Sequence, residues 1–98
     1  MKVFPTDLPE VLILEPRVFG DERGFFMESY NARAFNEAVG YDVRFVQDNH
    51  SRSARGVLRG MHYQIAPHEE AKIVSCIKGS IYDVIIDLRP DSSTYCEW

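Results

Sequence analysis

The chain is poor in most features that assign a protein to a class at once. It has only two cysteines in 98 residues, with Cys76 in an apolar strand-like run and Cys96 near the end, so reduced thiols are expected rather than a disulfide framework. No apolar run approaches the length of a membrane span. The opening Met1-Lys2-Val3-Phe4-Pro5-Thr6-Asp7 lacks the hydrophobic stretch of a signal peptide, so no membrane partner is expected and the default compartment is the cytoplasm. Basic residues do not dominate. A formal charge of −4 argues against nonspecific nucleic-acid binding but leaves room for a local cationic pocket. There is no internal repeat, low-complexity tract or linker, and no glycine-rich loop opening a helix to cradle phosphate. The length suits one domain spanning 1–98. Hydrophobic residues at 45% and charged residues at 27% are ordinary for a folded protein.

What is present is a series of short strand-like segments with one helix. Val11-Leu12-Ile13-Leu14-Glu15 reads as a strand closed by Pro16, and its continuous apolar character suggests burial on both faces or at a subunit contact. A turn is expected at Gly20-Asp21, followed by an aromatic strand with Arg23 and Glu28 at its flanks. Asn31 can cap a helix over Ala32–Val39 that Gly40 stops, with Phe35 and Val39 four residues apart facing the body. Further strands are expected at 43–51, 56–64, 72–77 and 81–89. Lys78-Gly79-Ser80 reads as a hairpin turn, and a last strand starts near Thr94. Such a pattern indicates an all-β sandwich or barrel.

The densest chemistry lies in Gly56-Val57-Leu58-Arg59-Gly60-Met61-His62-Tyr63-Gln64. Alternation places Gly60, His62 and Gln64 on one face and Arg59 on the other. His62 is either a half-buried histidine satisfied by backbone or a general base. Gln47 and Asn49 share a strand face, which suits either an edge strand with a solvated polar side or the reading of a planar polar ligand. Asp83 or Asp87 inside an apolar strand is costly unless paired, and Lys72 is the expected partner. Together with His62, that pair would suit proton removal next to a carbonyl, the ammonium stabilising the enolate oxygen. Arg23 and Arg59 suit a bidentate grip on phosphate. A metal is the competing use of the imidazole, but the position two residues after His62 is Gln64, so the paired His-x-His of metallocupins is missing. No metal is expected.

These motifs carry a resemblance. Phe19-Gly-Asp-Glu-Arg-Gly-Phe-Phe26 with Glu28, Phe45-Val-Gln-Asp-Asn-His-Ser51, Gly56 to Gln64, Lys72-Ile-Val, Asp83-Val, Asp87-Leu-Arg and Trp98 together resemble the dTDP-4-dehydrorhamnose 3,5-epimerase family. The resemblance implies an all-β, cupin-like jelly roll with one short helix, partial or shortened here. It also implies a homodimer or higher oligomer with strands paired between chains, and cofactor-free epimerisation of a dTDP-4-dehydro-6-deoxy sugar at C3 and C5. It makes His62 the base, Lys72 the enolate-stabilising cation and Asp83 a carboxylate beside the sugar. Arg23, Glu28, Gln47, Asn49 and Arg59 fall among the nucleotide and diphosphate contacts. Family members are longer, and a tyrosine acid and a histidine-orienting aspartate have no counterpart in these 98 residues, so the resemblance implies the N-terminal portion of an epimerase or a shortened relative. The alternatives are a shortened, non-catalytic cupin that binds a dTDP-sugar, or an assembly protein that completes its fold with another chain.

Overall fold

Local hydrogen bonding builds the first third of the chain. The computed structural model describes all 98 residues. The Thr6 hydroxyl lies 2.9 Å from the Leu8 carbonyl and 2.8 Å from that of Val11, and it accepts the Leu8 N–H. This turn folds β1 (Lys2–Pro5) back on β2 (Leu12–Glu15), antiparallel, with Val3 opposite Leu14 and Phe4 opposite Ile13. Leu8 is buried beneath it.

The second antiparallel pair joins β3 (Val18–Asp21) to β4 (Gly24–Met27) through Glu22 and Arg23. The turn therefore lies beyond the Gly20-Asp21 position expected from the sequence, and both of those residues belong to β3. The cause is Asp21, whose carboxylate accepts the Arg23 N–H at 2.8 Å and so stabilises a turn after itself. Gly24 completes the reversal at φ +128°, a value unfavourable for residues with a Cβ.

Helix α1 (Ala32–Val39) has the expected limits. Asn31 is extended, and its side-chain oxygen accepts the Ala34 N–H at 3.0 Å. Gly40 closes the helix in the left-handed region, its N–H donating to Asn36. Phe35 is buried, with ring centroids 6.1 Å from Tyr30 and 5.3 Å from Phe45. Tyr30 and Phe35 each meet Phe45 edge-on, and the three rings make a small apolar cluster.

From Val43 onward no residue belongs to a helix or a paired strand. The regions 43–51, 56–64, 72–77 and 81–89 form no strand pairs, against the expectation of four more strands. Gly79 has positive φ, yet the Lys78-Gly79-Ser80 bend joins no hairpin. A ladder needs a neighbour, and none of these segments bonds to another. The whole chain makes 22 backbone–backbone hydrogen bonds, whereas a closed domain of this length carries roughly 65. Its radius of gyration is 15.6 Å, against about 13 Å for a compact domain of similar length. Only Leu8, Phe35 and Asp87 are buried, while Val46, Leu58, Ile77 and Tyr82 are each more than three-quarters exposed.

One further knot of structure closes residues 87–97. The Asp87 N–H donates to Glu97 and the Cys96 N–H to Asp87, at 3.0 and 2.7 Å. The strand expected near Thr94 is instead part of this turn, because the Ser92 and Thr94 hydroxyls are drawn inward to the Asp87 carboxylate at 2.5 and 2.7 Å. Arg89 Nε and Nη2 reach the same carboxylate at 2.9 Å, and Arg89 Nη1 extends to Glu10.

Candidate functional site

Every candidate site residue is exposed. His62 is therefore not a half-buried histidine held by backbone. It follows Gly60, which has φ +115° and breaks the regular alternation of the segment. A Cβ on Gly60 would stand 3.7 Å from the His62 nitrogen and 3.8 Å from its Nδ1. The imidazole thus lies close above a position kept free of side chain.

Lys72 does not pair with Asp83 or Asp87. Its ammonium is 3.0 Å from Glu70 Oε1, since without a ladder between 72–77 and 81–89 the acid two residues earlier is the nearer partner. Turned with its nitrogen toward Glu70, the Gln64 amide donates to both carboxylate oxygens at 2.8 Å. Asp87 belongs to Arg89, Ser92 and Thr94. The Arg89 guanidinium, then the two hydroxyls, then the Arg89 N–H hold the Asp87 carboxyl far below the usual carboxylate range. Asp83 makes no ion pair.

The nucleotide candidates fall into separate groups. Arg23 grips Asp21 with Nε and Nη2, the latter at 2.6 Å. The side-chain pairing, then the Arg23 N–H, lower the Asp21 pKa, and the side-chain pairing raises that of Arg23. Gln47 donates to Asn49 at 3.1 Å, so the two amides share one side of the segment as alternation requires. Arg59 turns back to the Arg52 carbonyl at 3.0 Å. Glu28 follows β4 without an ion pair. No hydrogen bond links these groups to His62 or Lys72.

An open cavity of about 350 Å³ lies on the β3–β4 hairpin, lined by Phe19, Arg23, Phe25 and Phe26 among others. Aromatic faces beside a guanidinium can take a flat ring and an attached anion. No three His, Cys, Asp or Glu side chains converge in a way that could hold a metal ion, and no helix is long and apolar enough to cross a membrane. Glu70 is the polar partner that strand alternation alone does not reveal. Its available signal is an acid two residues before a lysine in a loop.

Comparison with known proteins places this arrangement among related sequences. The family described as dTDP-4-dehydrorhamnose 3,5-epimerase matches residues 5–98. Proteins of that description from Shigella flexneri and Pseudomonas aeruginosa are 57% and 58% identical over 98 residues, covering 100% of this chain and 54% of each relative. A crystal structure of dTDP-4-dehydrorhamnose 3,5-epimerase from Elizabethkingia anophelis NUHP1 superposes with a TM-score of 0.89 at 50% identity, over 97% of this chain and 52% of that one. The chain spans about half the length of the relatives it matches. The unladdered segments therefore follow the backbone path of a structural relative, and the fold class is all-β and cupin-like with one short helix.

Proposed function

This chain belongs to the dTDP-4-dehydrorhamnose 3,5-epimerase family, and from that membership we propose that it serves the epimerisation of dTDP-4-dehydro-6-deoxy-D-glucose at C3 and C5. The observation that carries the proposal is an exposed imidazole, His62, beside the side-chain-free Gly60, in a chain that also carries an exposed lysine, Lys72. A C4 carbonyl acidifies the C–H bonds on either side of it. His62 takes the proton from C3 or C5, the C–H electron pair passes into the enolate, and the charge collects on the C4 oxygen. Lys72 stabilises that oxygen. Delivery of a proton from solvent to the opposite face inverts the carbon, and His62 releases the proton it took to solvent. Asp83 stands beside the sugar in this reading. Arg23 and Arg59 hold the diphosphate, and Glu28, Gln47 and Asn49 hold the nucleoside. No cofactor or metal takes part.

The Gln47–Asn49 amide pair supports a nucleotide grip that reads the base. In calorimetry dTDP is expected to bind more tightly than UDP, and free rhamnose not measurably. Equal affinity for the two nucleotides would remove the base-reading role of Gln47 and Asn49. The second reading, a non-catalytic binding module, draws on the amide pair alone and gives no part to His62 or Lys72. Tight dTDP-sugar binding with no exchange of the C3 or C5 proton into deuterated solvent would favour it.

We also propose that the apolar side chains and free backbone edges beyond Val43 are covered by strand pairing with another chain, in a homodimer or larger assembly. Exposed Val46, Leu58 and Ile77 on unpaired backbone are a template for such pairing. Sedimentation should show a mass that rises with protein concentration. A compact monomer at every concentration would contradict the assembly.

A further inference from the structure

Glu70 receives two donors from different parts of the site. Lys72 reaches it at 3.0 Å, and Gln64, two residues after His62, can donate to it at 2.8 Å with its amide nitrogen turned toward the carboxylate. The carboxylate thereby ties the segment bearing the candidate base to the residue bearing the candidate cation, across the loop Ile65–Ala71. No other hydrogen bond or ion pair joins Gln64 or Lys72 to the rest of the chain. With side chains about half exposed, the ion pair contributes little to stability. Its consequence is geometric, because a lysine on a flexible stem reaches one place only when something holds it there.

We propose that Glu70 is a positioning residue, which sets the Lys72 ammonium relative to the His62 segment so that it can meet the developing oxyanion of a 4-keto sugar. This inference rests on the epimerase reading and assigns Glu70 a part in it. Bound substrate brings the C4 oxygen to the ammonium, and Glu70 keeps one of its three N–H donors engaged while another turns to the ligand. Gln64 holds the carboxylate in place from the other side. Glu69, next to it in sequence, makes no such bond and is the natural comparison.

The test follows the Lys72 side-chain ammonium by nitrogen NMR in the full chain, alone and with dTDP or dTDP-4-dehydro-6-deoxy-D-glucose. In the unsubstituted protein the Lys72 signal is expected to move with the keto sugar and not with dTDP. In Glu70→Ala that response is expected to disappear, and the affinity gained by the keto sugar over dTDP to fall by about tenfold or more, while dTDP affinity stays unchanged. Glu70→Gln keeps an acceptor and should restore part of the response. Glu69→Ala should behave as the parent. Absence of dTDP binding would reject the epimerase reading itself, and the Glu70 role with it. Normal dTDP binding with a Lys72 signal indifferent to the keto sugar, or unchanged in Glu70→Ala, would overturn the positioning role alone.

Discussion

Replacement of His62 by alanine is expected to abolish exchange of the C3 and C5 protons of dTDP-4-dehydro-6-deoxy-D-glucose with deuterated solvent. Affinity for dTDP should stay within about twofold of the parent, because the proposed nucleotide contacts are made by other side chains. A positioned general base contributes about 10² to 10⁴ in rate, so even slow exchange by the parent chain should fall to the background level. The substitution leaves no buried cavity, since His62 is exposed, and Gly60 beside it tolerates the smaller neighbour. Proton exchange reports removal alone and does not require a donor on the opposite sugar face. If exchange in His62→Ala equals that of the parent, another group is the base. If both the exchange and dTDP affinity collapse together, His62 acts in binding and not in proton transfer.

The second large effect concerns Asp87. Asp87→Ala removes the acceptor for Arg89, Ser92 and Thr94 at once, and it leaves the Arg89 guanidinium with only Glu10. Protection of the Cys96 amide against hydrogen exchange is expected to fall by about tenfold or more, while amides of the first hairpin near Thr6 keep theirs. Acid should reproduce the effect. A carboxyl whose folded pKa lies below its unfolded value stabilises the fold fully above the unfolded value, about 3.9, and loses that contribution as pH falls through the folded one. Because the Asp87 shift is strongly downward, closure of residues 87–97 should survive to pH 4 and weaken progressively below it. Uniform loss of protection across the chain at pH 5 would show that the closure depends on some other group.

The parts of the fold legible in the sequence are those whose causes lie within a few residues. Asn31 and Gly40 delimit α1 because a side-chain cap and a left-handed stop act on the turn beside them. The strand at Leu12–Glu15 is likewise plain from its apolar run. The β3–β4 turn was displaced because Asp21 uses its own carboxylate to bind the Arg23 N–H, and glycine and aspartate together do not say on which side of them the chain reverses. The later strands expected from alternation form no ladders here, since alternation reports which side chains want cover and is silent about what supplies it. The same gap explains the misassigned partner of Lys72. Pairing with Asp83 or Asp87 presupposed adjacent strands, and in their absence Glu70 wins by proximity. The candidate site residues rest on the motifs that carry them, since with eight arginines in the chain a guanidinium does not stand out by itself. The pairing of Glu70 with Gln64 was not legible, since their contact depends on how the loop between them turns.

The placement of regular structure bears on the order in which this polypeptide can acquire shape. The bonds of β1 with β2, β3 with β4 and α1 all join residues close in sequence, and closing such short loops takes microseconds or less. Synthesis delivers about 5 to 20 residues each second. Each of these elements can therefore equilibrate while the next is still being added at the ribosome. The region holding His62 and Lys72 has no such local partners, so its ordering waits for contacts from farther away and lags behind these elements.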